Sequence, residues 1–333
     1  MSKPGKKVFV KGYYGFGNFG DDIFCAVINW RLKNFTDYDP IFIGRGFPKG
    51  INYIKTKGNI HRNFLELYYS IRSKHIIFFG GSLFHSTFKK TDYRNLIAKL
   101  KLNKKTNAFG ISVGPFVNER AELENLNFLN NLQAVFVRDN RSLKLSDNFK
   151  YSFDPAIIIN EVYDIKPNIE KEIILGLNIG DFHTTITTQK KIMNFIKNKN
   201  INTVKVFILN KDDKKKSLIF TEMLKINNVC IEIIEYSNDL EDILNKMNEC
   251  TFMIGERLHF GIISFALELP FILIEYHQKC TDFLEEINYP FIKETWNYIY
   301  DEREKLNINL KTKKEDKKNI FEKSIQNLEG YLR

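Results

Sequence analysis

With 333 residues, 43% hydrophobic and 27% charged, the chain is too long for a single small module and too apolar for a disordered or fibrous protein; at about 100 to 200 residues per domain it calls for two domains. Fifty Lys and Arg against 40 Asp and Glu leave a net charge of +10, which favours acidic partners: phosphorylated metabolites, anionic lipid surfaces or nucleic acid. The four cysteines, Cys25, Cys230, Cys250 and Cys280, form no CxxC pair, so neither a zinc site nor a disulfide framework is expected, and a reducing cytoplasm is the expected location.

Runs rich in Val, Ile and Phe alternate with helical patterns from end to end, the signature of parallel sheets built from βαβ units. The N-terminus, MSKPGKKVFVKGYYG, is basic but has no apolar segment long enough for a signal peptide. Strands are predicted at Lys7–Val10, Pro40–Gly44, His75–Phe79, Asn107–Val113 and Ala134–Val137. Between the first two, Ile23, Phe24, Val27, Ile28, Leu32 and Phe35 recur at helical spacing behind a capping Asp21. The pattern restarts after Asp164 and Lys166-Pro167-Asn168, with strands at Ile173–Asn178, Val204–Leu209, Val229–Ile234, Thr251–Ile254 and Phe271–Ile274. The longest apolar stretch, 260–274, is broken by Glu268 and Pro270, short of the roughly 20 residues of a spanning helix. Last comes a mixed-charge run and then Phe321, Ile325, Leu328 and Leu332 at helical spacing.

The expected fold is therefore α/β, with two Rossmann-like doubly wound domains over residues 1–165 and 166–300, and a charged segment with a C-terminal helix over 301–333 packing on the body. Ligands of such sheets bind beyond the carboxyl ends of the strands, so a cleft lined by strand-to-helix loops is the expected seat of function.

After the first strand, Gly15, Gly17 and Gly20 satisfy GxGxxG. A dinucleotide fingerprint also wants an acidic residue near the end of the second strand. Here that strand ends Ile43-Gly44-Arg45, and Asp21 and Asp22 stand where a pyrophosphate would meet the helix start and would repel it. The alternative is a tight turn in which one acid caps the helix and the other meets a sugar hydroxyl.

The run GYYGFGNFGDD resembles the polysaccharide pyruvyl transferase family, and further motifs follow in that family's order: Gly80-Gly81-Ser82-Leu83-Phe84, Gly110-Ile-Ser-Val-Gly114-Pro115, Val137-Arg138-Asp139, Phe153-Asp154-Pro155-Ala156, Gly255-Glu256-Arg257-Leu258-His259, then Tyr276 and Lys279 after a strand. Ser82, Ser112 and His277-Gln278 depart from the family's pattern. The resemblance implies a fold similar to GT-B glycosyltransferases, phosphoenolpyruvate as donor co-substrate with no cofactor and no metal, and a lipid-linked or nucleotide-linked cell-surface saccharide as acceptor.

Phosphoenolpyruvate carries a carboxylate and a phosphate, which arginine forks bond bidentately. Arg138 and Arg257, each following a predicted strand, are the donor-binding candidates, with Lys279 adding charge; an ion pair of Arg138 with Asp139 or Glu119 is the structural alternative. His259, two residues beyond Arg257 in what reads as extended chain, is the candidate general acid or stabiliser of the departing phosphate. Asp21 or Asp22 is the candidate base toward the acceptor, whose other contacts fall to Gly15, Gly17, Asn18 and His85. Asp154 reads equally well as a turn residue, and His61, His75 and His183 have no motif support. Lys99, Lys101, Lys104 and Lys105, like Lys214, Lys215 and Lys216, read as solvated faces or as contacts to an anionic inner-membrane surface. No nucleic-acid motif accompanies them. A nucleotide-sugar glycosyltransferase and a catalytically silent saccharide binder are the rival readings; the intact Arg138, Arg257 and His259 set speaks against silence.

Overall fold

The computed structural model describes residues 5–89, 92–166, 172–180, 185–225, 229–275, 277–289 and 296–333. By packing, the chain divides into two units, one of Met1–Phe16, Asp21–Pro155 and Lys318–Arg333, the other of Gly17–Gly20 and Ala156–Lys317.

In the first unit the apolar runs form six parallel strands: β1 (Lys6–Lys11), β2 (Tyr38–Ile41), β3 (His75–Phe79), β4 (Thr106–Ile111), β5 (Ala134–Val137) and β6 (Phe149–Tyr151). Their order is β2-β1-β3-β4-β5-β6. Strands β3, β4 and β5 are buried along their whole length, which is why they read as continuous apolar runs and not as alternating ones. The predicted Pro40–Gly44 strand breaks at Phe42, and Ile43–Gly44 pairs separately with Ile54–Lys55. Helix α1 (Phe19–Phe35) follows β1, and α2 (Asn59–Arg72) precedes β3.

The second unit holds β7 (Ile174–Asn178), β8 (Thr203–Ile208), β9 (Cys230–Glu235), β10 (Phe252–Gly255) and β11 (Phe271–Leu273), all parallel in the order β9-β8-β7-β10-β11. Leu175, Leu177, Val204, Val206, Phe252 and Ile254 alternate along three of these strands into one core. Helix α3 (Lys214–Lys225) follows β8, and α4 (Leu258–Ala266) follows β10.

The chain passes from the first unit to the second after Pro155, and not at 165, for a packing reason. Ala156, Ile157, Ile158 and Ile159 are fully buried, and the helical turn Ile159–Val162 packs on α4. The charged run before the C-terminus is itself helical: α5 spans Arg303–Leu332 without a break. Its last part belongs to the first unit, where Phe321, Ile325, Leu328 and Leu332 are buried and Arg31 bonds Glu322 at 2.8 Å and Glu329 at 2.7 Å.

Phe321 meets Phe109 edge-on, with ring centroids 5.8 Å apart. Phe321→Ala is expected to lower stability by about 3–5 kcal/mol, the range for emptying a buried phenylalanine site, measurable by urea titration of the unfolding transition.

Candidate active site

Sheet order decides which loops can form a site. In each sheet the winding reverses between two neighbouring strands, β1 and β3 in the first, β7 and β10 in the second. Loops leaving such a pair diverge and open a crevice at the carboxyl edge. The glycine loops at Gly12 and Gly80 leave the first pair, while Ile179-Gly180 and Glu256-Arg257 leave the second.

Gly15 has φ +76°, and a Cβ there would stand 2.2 Å from the Arg45 carbonyl oxygen, so the turn requires glycine. The Gly15 N–H donates to Asp22 Oδ1 at 2.7 Å, and Asp22 is fully buried. The Tyr14 hydroxyl donates to the Phe79 carbonyl, and burial pushes this phenol well above its ordinary range. Asp22, a candidate base in the sequence, is thus placed as a tie within the loop. Asp21 is half-buried, with Oδ1 beside Gly81. Neither acid is the cap: α1 starts at Phe19, so both lie in its first turn, where the helix dipole favours negative charge. Asn18 precedes the helix, and its Oδ1 accepts the Gly20 N–H at 3.3 Å.

Gly17 and Asn18, expected beside Gly15, count with the second unit. Asn18 forms an antiparallel bridge with Asn210, and the Phe19 N–H donates to the Leu209 carbonyl at 3.2 Å. A Cβ on Gly20 would stand 2.0 Å from Nδ1 of His259. The third glycine of the fingerprint therefore admits an imidazole.

Arg257 and His259 lie at the switch point of the second sheet. Arg257 is not in extended chain continuing to His259; it is the N-cap of α4, which begins at Leu258 and puts the half-buried His259 in the first helical turn. The opening turn of a helix presents N–H groups without intrahelical partners, a site suited to anions. Asn178, the last residue of β7, fixes this turn: Oδ1 accepts the Arg257 N–H at 3.0 Å while Nδ2 donates to the Phe207 carbonyl at 2.9 Å. The guanidinium is locked by Asp213, Nε donating to its two oxygens at 3.1 and 3.0 Å and Nη2 to Oδ1 at 2.5 Å. Asp213 is fully buried; burial pushes its carboxyl up, and Arg257 opposes that shift. Sequence reasoning missed both Asn178 and Asp213.

Arg138 follows β5 in the first unit and is buried. Its ion pair is with neither Asp139 nor Glu119 but with Asp154, Nη1 to Oδ2 at 2.7 Å. Nε donates to Ser112 Oγ at 2.8 Å, and that hydroxyl donates to Asp139 Oδ2 at 2.6 Å. The serine that departs from the family's glycine run is thus a working part of this network. Asp139 also accepts the Ser142 N–H and caps the next turn.

The other candidates are placed as follows. His85 is exposed after β3, its carbonyl accepting the Val117 N–H at 3.0 Å. Lys279 is half-buried in the first turn of the helix Gln278–Glu286, which His277 caps through Nδ1. His61 accepts the Lys57 N–H at 3.2 Å, and His75 is buried edge-on to Tyr38. Tyr276, His183, Pro167 and Asn168 lie outside the described residues.

The sequence pattern of the polysaccharide pyruvyl transferase family matches residues 18–278. No curated protein sequence matches the chain. Among solved structures, S. aureus MnaA in complex with UDP aligns with a TM-score of 0.60 at 12% identity, over 92% of this chain and 90% of that one. An α-glucosyltransferase in complex with UDP and a mismatched 13-mer DNA aligns at 0.56 and 11% identity, over 96% and 94%. The Neisseria meningitidis UDP-GlcNAc 2-epimerase bound to UDP-GlcNAc aligns at 0.54 and 12%, over 96% and 99%. At these identities the likeness is one of fold, and the fold is the expected one: α/β, two Rossmann-like parallel sheets of GT-B type.

The contact between Gly20 and His259 can be tested by itself. Gly20→Ala leaves the imidazole no room in its present position, so the variant is expected to fold while the His259 ring turns away. A crystal structure of the variant, or the histidine ring resonances in its NMR spectrum, reads the displacement.

Proposed function

The chain belongs to the polysaccharide pyruvyl transferase family, and from that premise we propose that it moves the pyruvyl group of phosphoenolpyruvate onto two hydroxyls of a sugar in a surface polysaccharide or its precursor, forming a pyruvate ketal and releasing phosphate. The observation that carries this reading is the second unit's Arg257, its fork held by buried Asp213, with His259 in the next helical turn. A fixed guanidinium, an imidazole and a helix N-terminus suit a ligand carrying both a carboxylate and a phosphate.

The reaction runs as follows. Protonation of C3 of the enol ester leaves cationic character at C2. One acceptor hydroxyl adds there and loses its proton; the bridging C2–O bond breaks as phosphate departs; the second hydroxyl adds and loses its proton. The two hydroxyl protons balance the one gained at C3 and the one carried by phosphate. His259 is the group suited to protonate C3 or the leaving phosphate, since imidazole titrates near neutrality. Arg257 and Lys279 of the second unit carry the donor's negative charge; Arg138 is a further buried guanidinium in the first unit, paired with Asp154. Of the two acids proposed as base, Asp21 is the one with partial exposure.

The solved structures described above hold UDP or UDP-GlcNAc, which supports a nucleotide-linked acceptor and gives the rival reading, nucleotide-sugar transfer, its footing. No helix among the described residues is long and apolar enough to cross a membrane, and we propose a cytoplasmic location. Phosphate release from phosphoenolpyruvate, assayed over lipid-linked and nucleotide-linked sugars, separates the readings; release of nucleoside diphosphate in its place overturns ours.

Two variants probe the assigned roles. His259→Ala is expected to fold and to lose about 10²-fold or more in kcat, the range for a positioned acid-base group; near-normal turnover removes it from the mechanism. Arg257→Lys is expected to raise the KM for phosphoenolpyruvate with a smaller change in kcat, because an ammonium cannot bond a carboxylate or phosphate bidentately; steady-state kinetics against donor concentration decide this.

A further inference from the structure

Helix α2 of the first unit carries apolar side chains on two opposite faces. Leu65 and Tyr69 pack into the core, with Glu66 and Ser70 buried beside them. On the far face Ile60, Phe64, Tyr68 and Ile71 follow one another at intervals of four, four and three residues, and they are 89%, 64%, 43% and 54% exposed. Such spacing sets all four along one stripe. Tyr13 and Phe16, both exposed, stack at 4.4 Å, and the Arg62 guanidinium of α2 lies over the Phe16 ring. Contiguous apolar surface of this kind on a chain that could have hidden it marks an interaction face.

The charges around the stripe identify the partner. From Asn52 to His75 the only carboxylate is Glu66, and it is buried in ion pairs with Lys11 and Arg62. Lys55, Lys57, Arg72 and Lys74 are all exposed. Lys105 donates to the carbonyls of Ile71 and Ser73 at 3.1 and 2.8 Å, which fixes the run containing exposed Lys99, Lys101 and Lys104 at the same end of the helix. A second copy seated on this face would bring two basic rims together. An anionic surface with an apolar interior meets both features.

We propose that the outer face of α2 docks the protein on an anionic lipid bilayer, with Ile60, Phe64, Tyr68 and Ile71 entering the acyl boundary and the Lys and Arg rim contacting headgroup phosphates. This docking is independent of the reaction assigned above. It places α2 of the first unit against the membrane.

The test is co-sedimentation of the full chain with vesicles of phosphatidylcholine alone and of phosphatidylcholine with an equal share of phosphatidylglycerol. The protein is expected to bind the anionic vesicles and to release them as salt rises. Ile60→Ser with Phe64→Ser is expected to weaken binding at least ten-fold. Lys55→Gln, Lys57→Gln and Arg72→Gln together are expected to weaken it by about 10², at roughly five-fold per basic residue. All five positions are exposed, and melting curves matching the parent establish that the variants fold. Equal binding to neutral vesicles, no binding to either kind, or binding that both variants leave intact overturns the proposal. So does a parent chain that ignores vesicles and runs as a dimer which the Phe64 variant dissociates, since that assigns the stripe to a second copy.

Discussion

A parallel sheet sets the carboxyl ends of all its strands on one edge, and the chemistry of this protein follows from that constraint twice over. Each strand must be regained by a crossover, each crossover leaves from the same edge, and only where the winding changes direction do neighbouring loops part. The order β2-β1-β3-β4-β5-β6 opens that gap after β1, and β9-β8-β7-β10-β11 opens it after β7. The glycine loops at Gly12 and Gly80 and the Arg257 turn are found where the loops part.

Two arginines, Arg138 and Arg257, sit just past a strand end and are held by a buried aspartate from another loop. Such a pair adds little net stability, since desolvation of the ions offsets most of their attraction. Its effect is directional. A lysine or arginine in solvent samples many rotamers, whereas a guanidinium bonded at two nitrogens is held in a single orientation, so its ordering cost is met on folding.

The strands were legible because residues buried on both faces leave continuous apolar runs, and His75–Phe79 and Ala134–Val137 came out residue for residue. β6 was not: three residues with one buried side chain carry too little pattern. Arg257 and His259 were legible from their motif, but their geometry was not, since nothing in Glu256-Arg257-Leu258-His259 says that the helix begins one residue after the arginine. Asp213 and Asn178 were hidden for a different reason, as was the pairing of Asp154 with Arg138. Asp213 stands in a run, KDDKKK, that reads as solvated charge, and its partner lies 44 residues away in sequence. Ser112 departs from a glycine motif in the sequence, and only the fold brings its hydroxyl between Arg138 and Asp139.

The contact of Gly20 with the imidazole ring binds two distant positions into one unit of inheritance. A side chain gained at 20 would displace the His259 ring from its present position, so a change at either position bears on the other. In an alignment of relatives they should vary as a pair: glycine wherever the histidine persists, larger residues confined to chains that have lost it. A glycine fingerprint read alone would gather this chain with nucleotide binders, whereas here its third glycine makes room for the imidazole at 259.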